Sequence, residues 1–147
     1  MPLAFYHRLV RETGLRPVFV GQVQDNWYTR ALREQFPGAR YLSGGVVEDF
    51  QTMRGARNVV VAVSSFSWLA AWLSDRAQAI HLPAAGLFNP AQRDDIDLLR
   101  PGDPRWQVHR FAPGHFTASE EQKAVLTSRL ARPASDTGGL TFLGFAA

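Results

Sequence analysis

The sequence predicts an α/β domain with an open, mostly parallel β-sheet and helices on both faces. Along the 147-residue chain, segments with apolar residues at helical spacing alternate with short runs of β-forming residues. The clearest run, residues 59–63, is apolar without alternation, which is typical of a parallel strand covered on both faces. Ligands of such sheets bind beyond the carboxyl ends of the strands, so the segments after the strands are the first candidates for a site.

The predicted elements follow one another in a regular order. Helices, recognised by apolar residues at helical spacing, are expected over residues 3–13, 26–35, 46–56, 66–75 and 119–131. Strands, recognised by runs of β-forming residues, are expected over residues 17–20, 40–42, 58–63, 78–82 and 106–111. Gly14 can take the left-handed conformation that ends a helix, and Ser119 begins the last helix ahead of two acids.

The packing of these elements can also be predicted. Val46 and Val47 lie on the apolar face of the third helix, and Trp68 and Trp72, four residues apart, are expected in the core. Residues 83–104 hold four prolines and two glycines, so we expect Pro83 to stop the fourth strand and a long surface loop to follow. One domain is predicted over 1–131, with a C-terminal tail over 132–147.

Composition and charge exclude several classes of protein. Apolar residues make up 46% of the chain and charged residues 20%, as in globular proteins, and without cysteine there is no disulfide framework or Cys-based metal site. The net charge of +3 comes with fifteen scattered arginines and no basic run, so no nucleic-acid partner is expected. The chain lacks an apolar run of roughly 18 residues and a signal-peptide pattern, which favours a cytoplasmic protein without a membrane span.

The strongest candidate site is the turn that follows the best strand. Ser64, Ser65 and Phe66 open the next helix, where unpaired backbone N–H groups and the positive end of the helix dipole favour a phosphate group. The two hydroxyls add hydrogen-bond donors. The alternative is that Ser64 or Ser65 is a plain N-cap, worth about 1 kcal/mol. A nucleophilic serine is not expected, because no Gly-x-Ser-x-Gly motif is present.

Residues 59–73 read Val-Val-Val-Ala-Val-Ser-Ser-Phe-Ser-Trp-Leu-Ala-Ala-Trp-Leu. They resemble a signature of bacterial α-1,2-fucosyltransferases, an apolar strand followed by Ser-Ser-Phe-Ser-Trp-Trp-Ala-Ala-Trp-Leu, and depart from it at Leu69. The related α-1,6-fucosyltransferases carry a similar Ser-Ser turn, and Asp49, fifteen residues before Ser64, resembles their guanine-contacting aspartate in spacing. The resemblance is close over 46–75 and looser over 1–111. It implies a Rossmann-like domain, the donor-binding half of an inverting GT-B glycosyltransferase.

The resemblance assigns roles to four residues. It implies that Ser64, Ser65 and the Phe66 amide hold the β-phosphate of a GDP-sugar, and that Asp49 accepts two N–H groups of guanine. An exposed helix acid is the alternative for Asp49. The resemblance further implies a nucleotide sugar and a glycan acceptor as partners, and no metal cofactor, because such enzymes use fixed arginine charge on the diphosphate.

Other residues are weaker candidates, and no catalytic residue can be assigned. Contacts to the diphosphate or the acceptor are possible for residues that follow the first strand or flank the long loop: Gly21, Gln22, Arg93, Arg100 and Arg105. Residues 94–97 contain an Asp-x-Asp, a metal-binding motif of another glycosyltransferase fold, but a solvated turn is favoured there. His81 and His109 are expected on strands, without metal-ligand spacing.

The chain also departs from the family pattern. The basic motif of those enzymes, His-x-Arg-Arg-x-Asp, has no counterpart here, and neither has the acceptor-binding half. We therefore expect the chain to correspond to the C-terminal part of such an enzyme, and to be inactive unless a missing N-terminal half or a second copy completes it. The alternative is a non-catalytic α/β interaction module that pairs with another chain.

Overall fold

The computed structural model describes residues 1–22, 24–100 and 102–129, and these residues form two compact units. The first unit comprises residues 1–49 and 116–129, and the second comprises Phe50–His115. The predicted boundaries of a single domain, 1–131, stay a prediction. The tail predicted over 132–147 lies outside the described residues.

The elements appear in the predicted order. The helices are α1 Leu3–Thr13, α2 Trp27–Gln35, α3 Val46–Arg54, α4 Ser65–Trp72 and α5 Glu120–Thr127. The strands are β1 Val18–Val20, β2 Arg40–Leu42, β3 Asn58–Val60, β4 Ala79–Ala84 and β5 Trp106–Arg110. Each helix within the described ranges is too short or too polar to cross a membrane. Every strand pair among the described residues is parallel, so the mixed α/β class with parallel sheets is confirmed.

The strands pair in two separate sheets. In the first unit β1 lies beside β2, and in the second unit β4 lies between β3 and β5. The helices were correctly predicted to alternate with parallel strands. The finer expectation, one open Rossmann-like sheet covered on both faces, stays a prediction.

Aromatic and aliphatic side chains form the core of the first unit. Leu3 of α1 is fully buried and packs with Leu32 and Phe36, and Phe19 and Tyr41 of the two strands pack against this cluster. Gly14 has a φ of 68° and its N–H donates to the Val10 carbonyl oxygen, so it ends α1 as predicted. The helix therefore ends where only glycine takes the required conformation without strain.

The core of the second unit lies against its three-stranded sheet. The side chains that form it come from all three strands and from the segments that flank them: Val59, Val61, Ala71, Ala77, Ile80, Leu82, Phe88 and Trp106. Trp68 of α4 packs against this cluster. The helix α4 thus covers one face of the sheet through the motif that follows β3.

The prediction that Pro83 stops the fourth strand is wrong. Strand β4 runs through Pro83 to Ala84, and Pro83 is paired in register with His109 of β5. The Ile80 N–H donates to the Arg105 carbonyl oxygen on the β5 side, and successive amides of a strand point to opposite sides. The backbone of Pro83 therefore faces β3. The pairing of β3 with β4 ends at His81, so the missing N–H of proline breaks no hydrogen bond between the strands.

The prediction of a surface loop over 83–104 is also wrong in its first part. Ala85, Phe88 and Asn89 are buried, and Phe88 belongs to the core. The Asn89 Nδ2 donates to the Phe111 carbonyl oxygen at 3.0 Å, which ties the segment to the end of β5. Apolar residues of this proline-rich stretch therefore complete the core instead of facing solvent.

The predicted apolar faces of α3 and α4 are partly exposed. Val46 and Val47, at the start of α3, are 71% and 75% exposed, whereas Asp49 on the same helix is buried. Trp72 is 42% exposed, although Trp68 packs on the core as predicted. Helical spacing identified the helices correctly, but at Val46, Val47 and Trp72 it did not identify the side that is buried.

Candidate functional site

The turn between β3 and α4 is built by two serines with structural roles. Ser64 has an extended backbone, and its Oγ accepts the Ser67 N–H at 3.2 Å, so the N-cap alternative holds for Ser64. The buried Ser67 hydroxyl lies 3.1 Å from the Ala62 carbonyl oxygen and 3.0 Å from that of Ser64. The sequence analysis did not single out Ser67, which is not the Glu or Gln that a capping box has at this position.

Ser65 and Phe66 are left exposed by this arrangement. They occupy the first two positions of α4, and their backbone N–H groups have no acceptor among the described residues. The Phe66 ring lies edge-on to Phe50 at 5.4 Å, which holds the start of the helix. Two available N–H groups and one exposed hydroxyl, at the positive end of a helix dipole, can bind an anion.

Asp49 lies in the first unit and is 6% exposed, so the alternative of an exposed helix acid is wrong. Its Oδ1 accepts the Gly44 N–H at 2.9 Å. The neighbouring Glu48 side chain occupies the space that a Cβ at Gly44 would need. The contact to guanine stays a prediction. A bidentate contact to guanine uses both carboxylate oxygens, and Oδ1 can accept a second hydrogen bond while it keeps the one from Gly44.

Gly21 and Gln22 follow β1 in the first unit. Gly21 has a φ of 126°, and its N–H donates to the Leu42 carbonyl oxygen at 3.0 Å, which extends the β1–β2 pairing by one bond. Gln22 is exposed. Gly21 and Gln22 follow β1, and the Gly44 loop, which is hydrogen-bonded to Asp49, follows β2. Because the two strands are parallel, both segments lie at the same carboxyl edge of the two-stranded sheet.

The three candidate arginines lie in the second unit. Arg93 forms a two-point ion pair with Asp95, at 2.8 Å for both bonds. Arg105 is bound by Asp103, at 2.7 Å between Nη2 and Oδ2, and by the Ser74 carbonyl oxygen at 2.9 Å. Neighbouring carboxylates therefore already neutralise two of these charges.

Arg100 contacts an aromatic ring, and the Asp-x-Asp segment makes contacts within its own loop. The Arg100 guanidinium lies over the Trp72 ring at 5.9 Å, and its charge helps to lower the pKa of Asp103, the carboxylate that binds Arg105. Asp95 binds Arg93, and the Asp97 Oδ1 accepts the Leu99 N–H at 3.1 Å. Within residues 1–22, 24–100 and 102–129, no group of three or more His, Asp or Glu side chains could hold a metal ion.

The Asp103–Arg105 pair predicts a pH-dependent contribution to stability. Hydrogen bonds from the Arg105 side chain and backbone lower the Asp103 pKa from 3.8 to about 2. The pair therefore stabilises the fold above pH ~4, and this contribution is lost as the pH falls towards 2. We expect Asp103→Asn to lower the urea midpoint at pH 7, and the difference from the parent chain to shrink between pH ~4 and ~2.

Asp95→Asn is the matched control for that measurement. Both side chains of the Arg93–Asp95 pair are more exposed, 44% and 61% against 33% and 20% in the Arg105–Asp103 pair, so solvent screens their attraction more strongly. We therefore expect Asp95→Asn to lower the urea midpoint at pH 7 less than Asp103→Asn does. An Asp103→Asn effect as large at pH 2 as at pH 7 would show that the carboxylate charge is not its cause.

The structure also brings together two histidines that the sequence analysis left apart. His81 and His109 lie on β4 and β5, as predicted, and the His81 Nδ1 lies 3.0 Å from the His109 Nε2. Only the parallel register, which pairs Pro83 with His109, places the two rings side by side. A signal for the pair was present in the sequence only as one histidine on each of two adjacent strands.

Comparisons of the chain with protein-family models, with curated proteins and with solved structures found no match.

Proposed function

We propose that the turn at the start of α4 binds the diphosphate of a nucleotide sugar, and that the chain is the donor-binding part of an inverting, fucosyltransferase-like glycosyltransferase. One observation carries the proposal: Ser65 and Phe66 present two available backbone N–H groups and one exposed hydroxyl after a parallel strand. Fixed donors of this kind stabilise the charge that develops on a leaving diphosphate. In the finer form of the proposal, the domain is Rossmann-like and forms half of a GT-B fold.

The choice of a guanine nucleotide rests on Asp49 and on the resemblance of residues 46–75 to fucosyltransferases. The Asp49 carboxylate is the one acid of α3 that is buried and positioned by the fold, whereas Glu48 is exposed. Guanine offers two neighbouring N–H donors, which suit a carboxylate better than adenine or uracil does. GDP is therefore the proposed nucleotide, and a glycan hydroxyl the proposed acceptor.

Titration calorimetry with GDP, UDP and ADP tests this proposal. We expect GDP to bind, and Ser65→Asp to weaken GDP binding by at least about tenfold, because a carboxylate at the first helical position repels the diphosphate. The same charge is favourable for the helix itself, so the melting temperature should hold or rise. Ser65→Ala, which removes only the hydroxyl, is the matched control and should weaken binding less.

A second pair of variants separates phosphate binding from base recognition. Asp49→Asn is expected to reduce the affinity for GDP towards that for ADP, whereas Ser65→Asp reduces the affinity for every nucleotide. Glu48→Gln, on the same helix but exposed, is the control for the loss of one acid. Failure of all three nucleotides to bind at millimolar concentration would mean that the site is incomplete in this chain alone or that the serines only cap the helix, and the interaction module would then be favoured.

The exposed face of α4 favours one other function, a non-catalytic interaction module. Phe66, Leu69, Trp72 and Leu73 are between 36% and 46% exposed, and apolar side chains at this spacing form a stripe along one side of a helix. In that case Leu69→Arg would abolish an association detected by light scattering, and no nucleotide would bind. Nucleotide binding that persists in Leu69→Arg would favour the glycosyltransferase proposal instead.

A further inference from the structure

The pair of histidines on β4 and β5 is separate from the α4 turn. In the register of the two strands, His81 lies opposite Gln107 and His109 lies opposite Pro83, so both histidines project from the same face of the sheet. His81 is buried and His109 is half-buried. The ring centroids are 5.2 Å apart and the rings are tilted by 31°. Two adjacent strands therefore hold two imidazoles with facing nitrogens.

The distance between the facing nitrogens fits a particular coordination geometry. With metal–nitrogen bonds of about 2.0–2.1 Å, two nitrogens at a right angle lie about 2.9 Å apart, whereas a tetrahedral angle places them about 3.4 Å apart. The separation of 3.0 Å between His81 Nδ1 and His109 Nε2 is closer to the right-angle value. Imidazole nitrogen is also a preferred ligand of Cu²⁺ and Ni²⁺, which favour such angles.

We propose that His81 Nδ1 and His109 Nε2 form a two-histidine site for Cu²⁺ or Ni²⁺. In the neutral pair, one of the facing nitrogens donates its proton to the other. On binding, each ring carries its proton on the remote nitrogen, His81 Nε2 and His109 Nδ1, so both facing lone pairs are available to the metal and no proton need be released. Because the two nitrogens face each other in the hydrogen bond, each ring must turn by about 45° before the two lone pairs meet at a metal ion bound at a right angle.

The position of the two histidines on strands favours metal binding, and the small number of ligands limits the affinity. Strand backbones hold both residues, so less rotamer freedom is lost than at a site built on loops. The described residues add no third His, Asp or Glu at this place, so water completes the coordination. Micromolar affinity is therefore expected, with Cu²⁺ bound more tightly than Ni²⁺ and Ni²⁺ more tightly than Mn²⁺.

Calorimetric titration of the full, tag-free chain with CuCl₂ and NiCl₂ in a weakly coordinating buffer tests the site. One metal ion per chain is expected, and His109→Gln and His81→Gln should each weaken binding at least about tenfold. His115→Gln is the matched control: His115 is exposed, and this variant should bind like the parent chain. Electron paramagnetic resonance of the copper complex should show two coordinated nitrogens.

Folding of the variants is checked separately. Because His109 is only half-buried and glutamine can still hydrogen-bond to His81, His109→Gln is expected to keep its far-UV circular dichroism spectrum and to give a valid result even if His81→Gln unfolds. If binding does not saturate below about 100 µM metal, the proposal is overturned and the two histidines form only a hydrogen bond. Binding that survives in folded His109→Gln, or that is lost in His115→Gln, would overturn it equally.

Discussion

Replacement of Ile80 by alanine is expected to lower the free energy of unfolding by about 2–5 kcal/mol, because it leaves a cavity that the surrounding core fills only in part. Ile80 is fully buried on β4, the central strand of the second unit. It is paired in register with Val59 on one side and with Trp106 on the other, and all three belong to the same core cluster. Urea unfolding followed by tryptophan fluorescence measures the loss.

Val60→Ala is the matched control for this experiment. Val60 is the next residue along β3 after Val59, but its side chain points to the other face of the sheet and is 38% exposed. Its truncation is expected to cost less than about 1 kcal/mol. If Ile80→Ala and Val60→Ala have the same unfolding midpoint, the described face of the sheet is not the buried one.

Leu3→Ala is expected to have a comparable effect in the first unit, again about 2–5 kcal/mol. Leu3 is fully buried at the start of α1 and packs with Leu32 of α2 and with Phe36, which follows that helix. Truncation removes its contacts with both and leaves space between side chains that α1 and α2 hold in position. Far-UV circular dichroism during urea unfolding measures the change, since much of the helix of this unit lies in α1 and α2.

Leu15→Ala provides the comparison within the same unit. Leu15 is 47% exposed and follows the glycine that ends α1, so its truncation should change stability by less than about 0.5 kcal/mol. An effect of Leu15→Ala equal to that of Leu3→Ala would contradict the burial of Leu3. A small effect of both would show that α1 contributes little to the stability of the unit.

The order and type of the elements could be predicted because they depend on neighbours along the chain. Gly14 ends α1 and Ser64 caps α4 through contacts within a few residues, and such contacts are visible in the sequence. The predictions failed at Val46, Val47 and Pro83 because their outcome depends on distant segments. Helical spacing cannot show whether another element covers a given face, and proline in a strand depends on where the neighbouring strand ends.

Some features of the candidate site could likewise be predicted from the sequence, and others could not. The placement of Ser65 and Phe66 at an exposed helix start could be read from the strand and helix patterns around them. The hydrogen bond between Asp49 and Gly44 could not, because it requires the acid to fold back on the loop before its own helix. The ion pairs of Arg93 and Arg105 were also missed, although both partners lie only two residues away in the sequence.

The sequence by itself determined an α/β chain with parallel strands, the succession of its helices and strands, and an N-capped turn after β3. Only the tertiary structure decided which faces are buried, how the strands divide between two sheets, and that His81 meets His109. The physical reason is the range of the interactions. Capping and helical periodicity act over a few residues, whereas strand register and burial join residues such as 81 and 109 through the packing of the whole unit.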